Sequence, residues 1–255
     1  MADPVVARPS ASVILIRDAE TGLETFMVRR HERSHVAPSA FVFPGGTVRD
    51  DDVLPELTVP DLRSNSPLRA DDARAVYVAA VRELFEEAGV LLACDASGAL
   101  LQVDDADLEL QEHLAAARLT MQAYDMSLKD LLDQHQWRPA FTELVPFSHW
   151  VTPDVVPVRF DTRFFVARMP PRQNALHCTI ETSEGAWLRP VELLDGSYPI
   201  VFPTEQHLRR IAPFATVAEL LTFARTKPIK RVQPRVHEGR NGRSIILDSA
   251  VLDSW

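Results

Sequence analysis

Arg82-Glu83-Leu84-Phe85-Glu86-Glu87-Ala88-Gly89-Val90 concentrates three carboxylates within five residues, directly before a glycine that would stop a helix. At about 100° per residue, Glu83, Glu86 and Glu87 fall on an arc of about 100°, so all three can point to one spot. Like charges at that spacing weaken an isolated helix, so something positive is expected among them. A hard divalent cation such as Mg²⁺ takes oxygen ligands, usually one or two carboxylates together with substrate phosphates. The cluster therefore suggests a metal-assisted reaction on a phosphate compound. The competing reading is a solvated acidic helix end. Against it, Val76, Ala79 and Ala80 occupy the same face upstream, which marks that face as buried. Acidic side chains near a helix C-terminus also oppose the macrodipole.

A second segment completes the pattern. Phe41-Val42-Phe43-Pro44-Gly45-Gly46 is a short apolar run broken by Pro-Gly-Gly, which reads as a strand entering a loop where backbone approaches something closely. Together the two segments resemble the Nudix box. That pattern runs Gly, five residues, Glu, seven residues, then Arg-Glu-aliphatic-any-Glu-Glu-any-Gly-aliphatic. Arg82 to Val90 matches every specified position, and Gly46 fits the opening glycine. Asp52 stands where the pattern has Glu, and 29 residues rather than seven separate it from Arg82, an insertion of 22. The departure leaves the role of Asp52 open, but not that of the helix.

A long insert at this point is found in the Nudix subfamily that includes the animal peroxisomal coenzyme A diphosphatases. The chain is similar to that subfamily elsewhere as well. The matching stretches include Trp150-Val151-Thr152-Pro153, Arg159-Phe160-Asp161-Thr162-Arg163-Phe164-Phe165, Trp187…Pro190…Glu192 and Pro203…Leu208-Arg209-Arg210. The likeness extends from about Ser10 to Arg225. It implies an α/β fold, a Nudix-type α/β/α sandwich with a mixed sheet and an additional helical insert.

The activity it implies is Mg²⁺- or Mn²⁺-dependent cleavage of the pyrophosphate bond of a nucleoside diphosphate-linked compound. Coenzyme A or an acyl-CoA would yield 3′,5′-ADP and a 4′-phosphopantetheine. ADP-ribose or NADH would fit the same metal site, because the box handles only the diphosphate. Two other classes stay open: a non-catalytic Nudix-fold nucleotide sensor, and an interaction protein whose residues 93–140 bind another chain. A homodimer is the assembly that many family members adopt.

Residue by residue, the resemblance places metal ligation on Glu83 and Glu87, with Glu86 as a third ligand or the binder of a second ion. The backbone carbonyl of Gly45 is a further ligand candidate, since the glycine pair lets backbone approach closely. Arg82 would brace a box carboxylate, Glu86 four residues on being one partner within reach; a plain surface ion pair is the alternative. The general base is either a box glutamate or one on a later loop, where Glu181 and Glu184 precede Trp187 and Glu143 is a weaker candidate. Arg29, Arg30, His31, Arg33 and His35 form a basic cluster between the second strand and the Pro-Gly-Gly loop. Arg30 and Arg33 are its best candidates for substrate phosphates, and a solvated loop is the alternative reading. His149, Trp150 and Trp187 either line a pocket or pack in the core.

Composition sets outer limits. A chain of 255 residues can bury a proper core, and a net charge of −9 argues against a nucleic-acid surface. No run of about 18 apolar residues suggests a membrane helix. Met1-Ala2-Asp3-Pro4 lacks the regions of a signal peptide, and Leu252-Asp253-Ser254-Trp255 does not look like a peroxisomal address. Cys94 and Cys178 lack metal spacing, so a reducing cytoplasm with two free thiols is the simplest expectation.

The elements that must position the cluster follow from periodicity. Ser12–Ile16 and Thr25–Val28 read as a hairpin around Glu20-Thr21-Gly22. Residues 50–70 carry five acids and three prolines, and the insert 53–70 is expected on the surface and partly mobile. Asp71 or Asp72 would cap a helix running to Ala88, with Gly89 as its stop. Residues 93–140 read as a largely helical elaboration, Asp104 to Met121 and then Leu128 to His135 capped by Ser127. Strands are expected at 142–150, 159–167, 175–181 and 186–188, helices at 190–194, 203–211 and 216–224, and a hairpin around Asn241-Gly242. No convincing boundary divides the chain, so residues 1–255 are expected to form one domain.

Overall fold

The computed structural model describes residues 5–34, 36–104, 106–177, 182–239, 242–247 and 255. Its strands are β1 (Arg8–Ala19), β2 (Gly22–Arg30), β3 (Phe41–Val42), β4 (Gly45–Thr47), β5 (Ala93–Cys94), β6 (Arg138–Pro139), β7 (Val145–Val151), β8 (Phe160–Arg168), β9 (Thr182–Leu188), β10 (Arg231–Val232), β11 (Arg235–Gly239) and β12 (Gly242–Ile246). The helices are α1 (Ala70–Ala88), α2 (Leu108–Gln122), α3 (Leu128–His135), α4 (Pro190–Leu193), α5 (Phe202–Ile211) and α6 (Val217–Thr226).

β1 is apolar on both faces because it lies inside the sheet. Val13 and Leu15 pack toward α1, whereas Ile14 and Ile16 pack toward α5 and α6. The main sheet runs β10-β7-β8-β1-β2-β3, with β4 also on β1 and β9 on β2. β1 pairs in parallel with β8, and β10 with β7, while the other pairings are antiparallel. The result is the expected mixed sheet between two helical layers.

α1 is buried on every side from Ala75 to Ala88. It ends at Gly89 in the left-handed region, φ 69°, with the Gly89 N–H donating to the Phe85 carbonyl. Its start differs from expectation. Arg69 is the N-cap without a side-chain bond, and Asp71 and Asp72 sit in the first turn, where their charge suits the helix dipole. In the elaboration, α2 is capped by Asp107 rather than entered at Asp104, and Ser127 caps α3 as its sequence predicts.

The insert departs most from its expected character. Leu54 and Leu62 are buried in the core. Arg63 donates to the carbonyls of Pro146 at 2.8 Å, Ala224 at 2.9 Å and Arg225 at 2.5 Å. Asn65 bonds to the backbone of Ile229 and Arg231. The segment is therefore tied to the end of α6 and to β7 and β10 by backbone partners that its own sequence does not announce. Residues 175–177 form no strand, contrary to expectation, and 178–181 lie outside the described residues. β11 and β12 flank the expected hairpin turn, whose Asn241 is likewise outside them.

Candidate active site

The Pro-Gly-Gly bend feeds β4, which lies against β1 with Ser12 opposite Gly45 and Ala11 opposite Gly46. This pairing presses the glycines onto the last turns of α1. The Gly45 N–H donates to Glu87 Oε2 at 2.9 Å. A Cβ on Gly46 would sit 2.4 Å from Glu83 Oε1, so any side chain there displaces the Glu83 carboxylate.

Four acids and two arginines form the charged floor. Asp52, Glu83, Glu86 and Glu87 are each at most 6% exposed, and Arg82 is 1% exposed. Arg82 grips Asp52 with two bonds, Nε to Oδ1 at 2.9 Å and Nη2 to Oδ2 at 2.8 Å. It also donates to Glu83 Oε1 at 2.6 Å and to the Thr47 carbonyl at 2.9 Å. Burial works against its charge, but Asp52, Glu83 and Glu86 outweigh it and hold its pKa above the ordinary value. Arg49 makes a second fork, Nη1 to Glu86 Oε1 at 2.8 Å and Nη2 to Glu86 Oε2 at 2.7 Å. Burial, helped by Glu83, pushes the Glu86 carboxyl up to about 7 despite Arg82 and Arg49.

Above this floor lies a cavity of about 500 Å³ whose wall includes Glu83, Glu87, Gly45, Gly46, Arg30 and Arg49. Its wall also carries apolar side chains, Trp150, Val151, Val156, Val158, Phe160 and Phe202 among them. Glu86 is not in the wall, since it lies behind Arg49.

A family model described as the NUDT19 Nudix domain matches residues 60–199. The chain belongs to this Nudix family. Acyl-coenzyme A diphosphatase NUDT19 of Xenopus laevis is 27% identical over 240 residues, spanning 78% of this chain and 62% of that protein. The chain thus covers somewhat less than two thirds of that relative. The crystal structure of a NUDIX hydrolase from Alicyclobacillus acidocaldarius superposes with a TM-score of 0.66 at 24% identity, covering 86% of this chain and 96% of that one. That likeness bears out the α/β fold.

Against the Nudix pattern, Asp52 finds a definite place: it takes the Arg82 fork. Its shorter side chain is reached because the turn Asp50–Asp52 folds back toward α1. The surface ion pair considered for Arg82 is excluded by its burial, and Asp52 rather than Glu86 is its main partner, Glu86 standing 3.5 Å away. Glu83 and Glu87 both line the cavity, whereas Glu86, expected to point to the same spot, is turned to Arg49. Arg30 reaches the wall, its Nε held by the Val36 carbonyl at 2.9 Å, while Arg33 is exposed away from it. Glu184 stands half exposed beside Arg29 at 3.6 Å, outside the cavity wall, and Glu143 is outside it too. Glu181 and His35 fall outside the described residues. Trp150 lines the cavity, but His149 points to Asp161 and Trp187 packs on Phe26. Cys94 is a free thiol, and Cys178 is not described.

Sequence reasoning missed Arg49 and Tyr124. A basic residue three positions after the glycine pair was the available signal for Arg49. Tyr124 offered none.

The divalent cation implied by the family meets a suitable donor set. Glu83 and Glu87 supply hard carboxylate oxygens at the cavity, beside the Gly45-Gly46 backbone, where a Cβ on Gly46 would meet the Glu83 carboxylate. Among the described residues no group of three His, Cys, Asp or Glu is spaced to hold an ion. Two carboxylates completed by substrate phosphates are the usual Mg²⁺ arrangement. Among the described residues, no helix is long and apolar enough to cross a membrane.

Proposed function

We propose that this chain is a metal-dependent pyrophosphohydrolase acting on a nucleoside diphosphate-linked compound, with coenzyme A or an acyl-CoA as its substrate. One observation carries the reading. The Glu83 and Glu87 carboxylates open into the same cavity as an apolar wall formed by Trp150, Val158, Phe160 and Phe202. A diphosphate flanked by a long, partly apolar group suits that polarity. The named activity of the Xenopus laevis relative supports the same class.

In this mechanism Glu83 and Glu87, with the Gly45 carbonyl, would hold Mg²⁺ or Mn²⁺. When bound, the cation offsets phosphate charge and makes a coordinated water easier to deprotonate. Arg82, locked to Asp52 and Glu83, keeps the Glu83 oxygens aimed at the cavity. Arg30, in the same cavity wall and restrained by its Val36 bond, would meet a substrate phosphate. The proton acceptor is a box glutamate or Glu181.

Coenzyme A, acyl-CoAs, ADP-ribose, NADH, dinucleoside polyphosphates and oxidised nucleotides, each with Mg²⁺ and with Mn²⁺ and with products identified by mass, test the proposal. Turnover of coenzyme A or an acyl-CoA to 3′,5′-ADP is expected. Glu87→Gln should lower it at least about 100-fold with an unchanged circular dichroism spectrum. Absence of metal-dependent turnover on every compound overturns the enzymatic reading. Preference for ADP-ribose or NADH overturns the substrate.

A further inference from the structure

Arg49 stands between the cavity and Glu86. Its guanidinium lines the wall, 14% exposed, and the Glu86 carboxylate behind it is 4% exposed. Several contacts fix the arginine in place. Both Glu86 oxygens accept its fork, the Met121 carbonyl lies at 3.4 Å, and the Tyr124 ring centroid is 4.1 Å from Cζ. Its main-chain N–H is spent on Asp52 Oδ2 at 2.8 Å.

We propose that Arg49 is a built-in counterion that keeps a second divalent cation off Glu86, so that the resting protein binds one ion rather than two. The inference rests on the metal reading above, with Glu83 and Glu87 holding that one ion. A buried carboxylate requires a compensating charge, and a planar guanidinium supplies it bidentately. A cation reaching Glu86 from the cavity must displace that fork, the Met121 bond and the ring contact together. It would also approach a fixed positive charge. Tyr124 lies in the turn between α2 and α3, and Met121 in the last turn of α2, so the helical elaboration sets how many ions the box accepts.

Mn²⁺ titration of the full chain without substrate tests this, with free Mn²⁺ followed by electron paramagnetic resonance and heat by calorimetry. Wild type is expected to bind one ion and Arg49→Met two. The second ion should be lost again in Arg49→Met/Glu86→Gln. Arg49→Gln, which keeps a donor toward Glu86, gives the same readout if the Met variant fails to fold. Two ions on wild type, or one on a folded Arg49 variant, overturns the inference while leaving the metal reading intact. No ion on wild type overturns both.

Discussion

Gly46 shows how little freedom the site has at single residues. Its place is dictated by the Glu83 carboxylate, whose two oxygens would lie 2.4 and 2.7 Å from an added Cβ. Gly46→Ala should push that carboxylate aside, because the side chain yields more easily than the paired β4 backbone. Turnover is expected to fall about 10- to 100-fold, in line with the cost of a misplacement near 1 Å, and Mn²⁺ affinity should fall with it. Thermal unfolding should change little. Parallel measurements of kcat, Mn²⁺ affinity and Tm check this; full activity would remove Glu83 from the ion's coordination. Arg82 carries the complementary restraint. Its own sequence context pointed to a box carboxylate four residues on, whereas its fork goes to Asp52, 30 residues earlier.

Among the elements, α1 was the most legible. Its buried face, acidic end and glycine stop are all encoded within 20 residues. The insert was the least legible, since its three prolines interrupt any apolar period and its anchors are sparse. Arg63 is the chief anchor, bridging β7 to the last carbonyls of α6, which otherwise lack intrahelical partners. Arg63→Ala should cost about 1–3 kcal/mol in unfolding free energy. It should also open residues 53–69 to limited proteolysis. Urea denaturation and timed digestion measure both, and unchanged cleavage would show that Leu54 and Leu62 hold the insert unaided. The elaboration likewise proved to be more than an outer layer, because Tyr124 at its turn reaches the Arg49 fork.

At the scale of the whole molecule, two apolar cores flank the sheet, and the one on the α5–α6 side encloses a histidine. His207 is fully buried between Phe164, Trp150 and Trp255. Its Nδ1–H donates to the Pro203 carbonyl at 2.6 Å, so Nε2 accepts from the Ser148 hydroxyl at 2.6 Å. Burial, aided by Lys227 and opposed by the Pro203 carbonyl, pushes its pKa down to about 3. The unfolded chain binds this proton near the ordinary histidine value of about 6.5, and the folded chain resists it. Its contribution is therefore complete above pH 6.5 and is lost as pH falls toward 3, at up to about 1.4 kcal/mol per unit. His207→Gln should flatten the decline in urea midpoint between pH 6.5 and 4. An identical slope in the variant would assign acid sensitivity to other groups.

The sequence alone determined the carboxylate-bearing turn and its glycine stop, because each is written in short-range spacing, and through the resemblance those motifs carry it implied the family and the mixed sheet. Tertiary structure alone decided which carboxylate faces the cavity, which is neutralised by arginine, and where Asp52, Arg49, Arg63 and Tyr124 act. Those choices join residues from about 30 to 160 positions apart through single polar contacts, which leave no periodic trace. Only when the sheet and helices pack do such partners come within bonding distance, and burial then makes their pairing obligatory.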